Sequence, residues 1–258
     1  VCGRYTLTTP GDLIAELFEL AEPPETVARY NIAPTQEVAT VRGTGEDGRA
    51  DGPGRERVAG RTRELALLRW GLVPHWADDP SIGNRMINAR AETAAEKPAF
   101  RTSFKRKRCL ILADGFYEWQ KLAGGTKQPW YFRLESAEPF AFAGLWARWK
   151  PRDAGGEQPI DSCTILTTEA NELVGKVHHR MPVILPPDAY DLWLDPDVGD
   201  REPLEAVLGP FDPAKMIAYP VSTRVNSPAN DDPAIIEPIG DAARAGQAAP
   251  GGEQGSLF

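Results

Sequence analysis

Five apolar runs follow one another between Cys109 and Thr168: Cys109–Ala113, Phe116–Gln120, Trp130–Leu134, Phe140–Trp149 and Ser162–Thr168. Each is rich in aromatic or β-branched residues, and turn-forming residues separate them, which is the pattern of consecutive β-strands. Helical patterns lie to either side and do not alternate regularly with the strands, so the arrangement predicts an α+β domain, not a βαβ sheet. A single domain over residues 2–240 is expected, with a β-rich core and peripheral helices.

On the N-terminal side, Thr9-Pro10 precedes Leu13, Ile14, Leu17 and Phe18, predicting an amphipathic helix with Thr9 as N-cap and Pro23-Pro24 as its stop. Glu37–Arg42 and Glu64–Trp70 read as strands. The Gly43–Arg63 stretch between them is polar, Gly-rich and aperiodic, and is expected to be a flexible insert. Ala91–Glu96 predicts a short helix, and Lys97–Arg108 concentrates positive charge. On the C-terminal side, helices are expected at Glu169–Val177, Pro187–Leu194 and Glu202–Leu208, and strands at Met181–Leu185 and Met216–Val221. The tail 241–258 has no periodic apolar face and is expected to be disordered.

Composition narrows the functional classes. Hydrophobic residues at 41% with seven Trp supply a substantial core. A net charge of −8 excludes a uniformly basic nucleic-acid-binding shell but leaves room for a local basic groove. With no apolar run of about 18 residues and no basic-then-apolar start, neither a membrane span nor a secretory signal is expected. Three cysteines without CxxC spacing fit a reducing compartment, so the expected location is cytoplasmic. Those cysteines and three histidines, two adjacent, offer no defensible metal-ligand spacing; no metal and no cofactor are expected.

Cys109 and Cys163 lie in strand-like apolar runs and read as buried, inert thiols. Cys2 is different. If Val1 is removed, Cys2 presents an α-amine of pKa about 7.7–8.0 beside a thiol of about 8.5. That 1,2-aminothiol condenses with aldehydes, the amine forming a Schiff base and the sulfur closing a thiazolidine. The competing reading of Cys2 is a small residue in an ordered N-terminal strand. With Val1 retained the α-amine is consumed in a peptide bond and the chemistry is closed.

The segments CGRYT, YNIAPTQ, RWGLVPHWA, INARAET, KPAFR, RCLILADGFYEW, FAGLWARW and HHRMPVIL occur in this order between residues 2 and 185. Together they resemble the SOS response-associated peptidase (SRAP) family. The resemblance implies one α+β domain with a barrel-like core, a positive cleft for single-stranded DNA containing abasic sites, and a mature N-terminal Cys that crosslinks to the lesion. It places the nucleophile at Cys2, polar catalytic groups at Asn88, Glu118 and His178, and phosphate-gripping arginines at Arg4 and Arg90. A monomer acting on DNA, with no membrane role, is expected.

Those roles have a physical basis. An abasic sugar is mostly a closed hemiacetal, so a proton donor must open it, a task suited to His178, with its neighbour His179 as the alternative. Glu118, in the apolar context GFYEW, is expected to have a raised pKa and to shuttle protons; the other reading is a solvated strand-edge carboxylate. Asn88 can orient the reactants without titrating. Trp76, in PHWADD, reads either as a base-stacking side chain or as a core aromatic. The run Lys105–Arg108 reads either as a basic cluster for DNA or as a solvated charged face.

Three functions are therefore compared: covalent capture of abasic sites with removal of the first residue, an N-terminal-nucleophile cysteine peptidase or amidohydrolase using Cys2, His178 and Glu118, and a non-covalent single-strand binding module using Arg4, Arg90 and Trp76.

Overall fold

The apolar runs become the strands of two sheets. In a computed structural model, which describes residues 2–43, 63–151 and 158–240, the strands are β1 (Tyr5–Leu7), β2 (Arg29–Ile32), β3 (Glu37–Gly43), β4 (Arg63–Trp70), β5 (Asn88–Arg90), β6 (Arg108–Ala113), β7 (Gly115–Lys121), β8 (Lys127–Leu134), β9 (Phe140–Trp149), β10 (Ile160–Glu169), β11 (Arg180–Pro182), β12 (Ile184–Leu185) and β13 (Met216–Pro220). The helices are α1 (Gly11–Phe18), α2 (Ala91–Ala94), α3 (Arg101–Arg106), α4 (Tyr190–Leu194) and α5 (Arg201–Ala206). The interior of the Gly43–Arg63 insert and the tail 241–258 lie outside the described residues.

Five strands close on themselves. β3 pairs antiparallel with β4, β4 runs parallel to β10, and β10–β9, β9–β6 and β6–β3 are antiparallel pairs that complete the ring. Closure removes the unpaired edges that an open sheet would expose. All six residues of β6 are buried, as expected for a strand covered on both faces. Where β6 and β9 meet, Gly144 faces Cys109, and a Cβ on it would lie 2.8 Å from the Cys109 sulfur. The small residue lets the wall close.

The second sheet has the order β13-β8-β7-β1-β2. One face packs on the barrel through Tyr5, whose ring meets Trp70 at 5.3 Å and Phe142 at 5.7 Å, and through Phe116, stacked on Phe132. Its other face is covered by residues 221–236, with Val221, Val225 and Ile235 buried against Tyr117 and Tyr131. Asn31 holds this cover, its amide donating to the carbonyls of Val225, Ser227 and Asn230.

Three local expectations are corrected. Thr9 does not cap α1: its hydroxyl donates to Asp114 at 2.5 Å, and the helix starts at Gly11 after Pro10. Asp114, in the β6–β7 turn, also accepts from the Thr8 hydroxyl, so the carboxylate outcompetes the helix N-terminus for these side chains. The helix then ends at Phe18, well before the prolines, with Glu19 in the left-handed region. Glu169–Val177 is not a helix. β10 extends to Glu169, and Asn171 diverts the chain by accepting from Val174 N–H and donating to the Phe211 carbonyl, leaving one 3-10 turn at Val174–Lys176. Within Lys97–Arg108, α3 forms, and its charges do not share one fate: Lys105 and Arg106 are exposed, the Lys107 ammonium lies 4.8 Å from the Trp146 ring, and Arg108 is buried.

Candidate active site

Cys2 precedes the first strand and is fully buried. β1 pairs with β7, Tyr5 opposite Phe116, and this pairing brings the chain start beside Glu118. The Cys2 N–H donates to Glu118 Oε1 at 2.5 Å, while the Cys2 carbonyl accepts from Asn88 Nδ2 at 3.2 Å. The backbone of one residue is thus held from both sides by side chains far along the chain.

Asn88 reaches its place through a loop that sequence reasoning leaves irregular. Gly71 sits at φ 131°, and a Cβ there would lie 2.6 Å from the Gly83 carbonyl oxygen, so two backbones pack where no side chain fits. The Trp70 indole N–H then donates to the Ile87 carbonyl, and β5 adds to β10 with Asn88 opposite Ile165 and Arg90 opposite Thr167. Arg90 is exposed at the mouth of this strand.

Glu118 is 3% exposed. Burial raises its pKa above the ordinary carboxylate range, partly offset by the amide donors of Cys2 and Trp119 and by His179. This agrees with the raised value expected from GFYEW and removes the solvated-edge reading. Burial also pushes the Cys2 thiol well up, and the adjacent Glu118 charge adds to that.

His178 is half-buried, and its Nδ1 lies 3.0 Å from the Arg180 amide nitrogen and 3.1 Å from the Arg180 carbonyl oxygen, so the Arg180 backbone orients the ring in either tautomer. Its ring stacks on His179 at 4.5 Å, and burial lowers its pKa. Arg180 orients His178, and His179 adds a minor contribution, behind the N-terminal ammonium, to offsetting the effect of burial on Glu118.

The residues expected to face DNA differ in their surroundings. Trp76 is 42% exposed, and Trp149 anchors the loop beside it, donating its indole N–H to the Ala77 carbonyl at 2.8 Å. Trp76 is therefore no core aromatic. Arg4 is half-buried, with Nη1 donating to the Val225 carbonyl at 2.9 Å and to Asn31 Oδ1 at 3.4 Å. It clasps the C-terminal cover to the sheet.

Sequence reasoning assigned no role to Arg180, Glu92 or Thr167. Arg180 forks onto Glu92 at 2.6 and 2.9 Å, and its Nη2 also donates to the Thr167 carbonyl at 2.6 Å, tying β11 to β10 and α2 beside the histidines. Its place in HHRMP was the available signal. Among the described residues, no group of three His, Cys, Asp or Glu is arranged to hold a metal ion, and no helix is long and apolar enough to cross a membrane.

The profile of the family described as SOS response associated peptidase (SRAP) matches residues 1–228. The chain belongs to the SRAP family. Among SRAP relatives, abasic site processing protein YoqW of Bacillus subtilis (strain 168) is 43% identical over 240 residues, which cover 92% of this chain and 99% of the relative. Abasic site processing protein HMCES of Gallus gallus is 40% identical over 202 residues, covering 69% of this chain and 58% of its own. A crystal structure of a protein from Bacteroides thetaiotaomicron, 25% identical, matches 92% of this chain and all of its own with a TM-score of 0.76. The barrel with its companion sheet is thus a fold shared with that protein, and Cys2 lies just ahead of its first strand.

Proposed function

We propose that this SRAP protein captures abasic sites in single-stranded DNA by a covalent bond to Cys2, after loss of the residue before it. The reading is supported by relatives named as abasic site processing proteins and, above all, by one contact: Cys2 N at 2.5 Å from Glu118 Oε1. Once Val1 is gone, that nitrogen is an amine beside a buried carboxyl group. A carboxyl of raised pKa can take a proton from the incoming ammonium and return it to the departing hydroxyl.

The balance of the reaction is simple. His178 donates a proton to the ring oxygen as the C1′–O4′ bond breaks, and the C1′ hydroxyl gives up its own proton to restore the imidazole, leaving the open aldehyde. The amine adds to C1′, water leaves, and a Schiff base forms. The Cys2 sulfur then bonds to the same carbon and its proton passes to nitrogen, closing a thiazolidine. The net change is aldehyde plus aminothiol giving thiazolidine plus one water. Asn88 fixes the Cys2 carbonyl, so amine and thiol approach one carbon from a preset geometry. The high thiol pKa suits this order, in which the amine attacks first and the sulfur follows intramolecularly.

The test is a single-stranded oligonucleotide with one abasic site, resolved on a denaturing gel after incubation with protein whose N-terminal mass is known. Protein beginning at Cys2 should give a slow-migrating adduct that Cys2→Ala abolishes. An equal adduct from protein that retains Val1 would sink the mechanism.

A further inference from the structure

Two adjoining cavities lie beyond the Arg180–Glu92 pair. A cavity of about 320 Å³ lined by Glu92, Thr168, Arg201 and Glu205 begins beside the Arg180–Glu92 pair, and Arg201 is shared with a second cavity of about 450 Å³. That second cavity has an apolar floor of Ala95 and Phe104 and a rim of Arg101, Thr102, Lys105, Arg106 and Arg201. Phe104 and Ser103 turn into the core, which sets Arg101, Thr102, Lys105 and Arg106 together on the exposed side of α3.

This concentration runs against the composition of the chain. The chain carries a net charge of −8, yet Arg101, Lys105 and Arg106 form no ion pair among the described residues. Arg101 and Lys105 stand four residues apart, a like-charge spacing that destabilises a helix, whereas Lys105 and Arg106 lie in the last turn, where the helix dipole favours them. Arg201 is the one rim cation that is neutralised, by Glu96 at 2.9 Å and Glu205 at 2.5 Å. Glu96 and Glu205 therefore gather at Arg201, and the three cations Arg101, Lys105 and Arg106 outweigh them, leaving the rim net positive.

We propose that this cavity is a second phosphate-backbone site, holding nucleotides of the captured strand away from the lesion. A cationic rim over an apolar floor suits a nucleotide, whose phosphate and base need those two surfaces. The proposal rests on the reading of Cys2 as the capture site, and supplies the reach that one residue cannot: the two adjoining cavities lead from Thr168 and Glu92 to α3.

The experiment compares abasic oligonucleotides of about 5 and about 25 nucleotides against wild type and the variant Arg101→Gln/Lys105→Gln/Arg106→Gln. The variant should bind the long strand about tenfold more weakly at 0.1 M salt, with a salt slope smaller by about 2, and should bind and crosslink the short strand as wild type does. Unchanged affinity and slope for the long strand would overturn the proposal. A parallel measurement avoids the variant altogether: in wild type the long strand should protect Lys105 from acetylation, read by mass spectrometry, while the short strand and a mononucleotide at equal phosphate concentration should not. Equal protection by the mononucleotide would make the cavity a free-nucleotide site and overturn the proposal. Failure of wild type to form any adduct would count against Cys2 alone, because undamaged strands report on the cavity without it.

Discussion

Glu118→Gln is the perturbation that most directly tests the proton-transfer reading. Glutamine preserves shape and keeps an oxygen that can accept the Cys2 N–H now held at 2.5 Å, so the ground-state geometry should survive. What is lost is the ability to bind and release a proton. Positioned acid–base groups contribute about 10²–10⁴-fold, so adduct formation should slow by at least about a hundredfold, or about 2.7 kcal/mol of barrier. Affinity for an undamaged strand should not change, because Glu118 is 3% exposed and offers DNA no surface. Stability supplies an independent sign. With residue 1 in place the folded pKa lies above the ordinary value near 4.3, so the carboxyl favours folding when protonated. That contribution is full below the unfolded value and is lost as pH rises through the folded one. Wild type should therefore lose stability relative to Gln across that interval, by about 1.4 kcal/mol for each tenfold displacement of its ionisation. The assays are pseudo-first-order adduct kinetics on gels and urea unfolding from pH 4 upward. Adduct rates within about threefold of wild type would refute the role of the carboxyl.

Other side chains yield further expectations. Arg108→Met should destabilise the fold by roughly 3 kcal/mol or more, seen by calorimetry as a Tm lower by about 6–12 °C, because Arg108 donates to the carbonyls of Trp193, Phe104, Lys105, Asp195 and Val198. Tyr5→Phe should be neutral or stabilising by up to about 1 kcal/mol in urea unfolding, since the buried Tyr5 hydroxyl has no hydrogen-bond partner among the described residues. Gly115→Ala should destabilise, because its Cβ would lie 2.4 Å from the Tyr131 hydroxyl oxygen and 2.6 Å from the Phe132 carbonyl oxygen; unfolding midpoints check it. Arg4→Ala should speed amide exchange over residues 223–231 before it changes the salt dependence of DNA binding, since the guanidinium is engaged by Val225 and Asn31.

The contrast between Arg4 and Cys2 shows where the sequence could be read and where it could not. Strand identity depended on local composition, so β3, β6, β9 and β13 were legible almost to their ends, and CGRYT and GFYEW marked Cys2 and Glu118 as special. Barrel closure was legible only through family resemblance, because it depends on the parallel pairing of β4 with β10, residues more than ninety positions apart. The two misread helix signals share one cause. Thr9 and Asn171 each spend a side chain on a partner distant in sequence or on local backbone, Asp114 and Val174 respectively, where propensity rules assume the side chain serves its own helix, and Arg4 likewise reaches the Val225 carbonyl. The run Lys105–Arg108 makes the point most sharply. Four consecutive cations read as one unit, a basic cluster or a solvated face, yet α3 gives Lys105 and Arg106 to a cavity rim, Trp146 takes Lys107, and five carbonyls enclose Arg108. Charge in a sequence tells how many ions must be solvated or paired. Only the fold decides which of them are left facing outward, and here those are the ones placed to meet a polyanion.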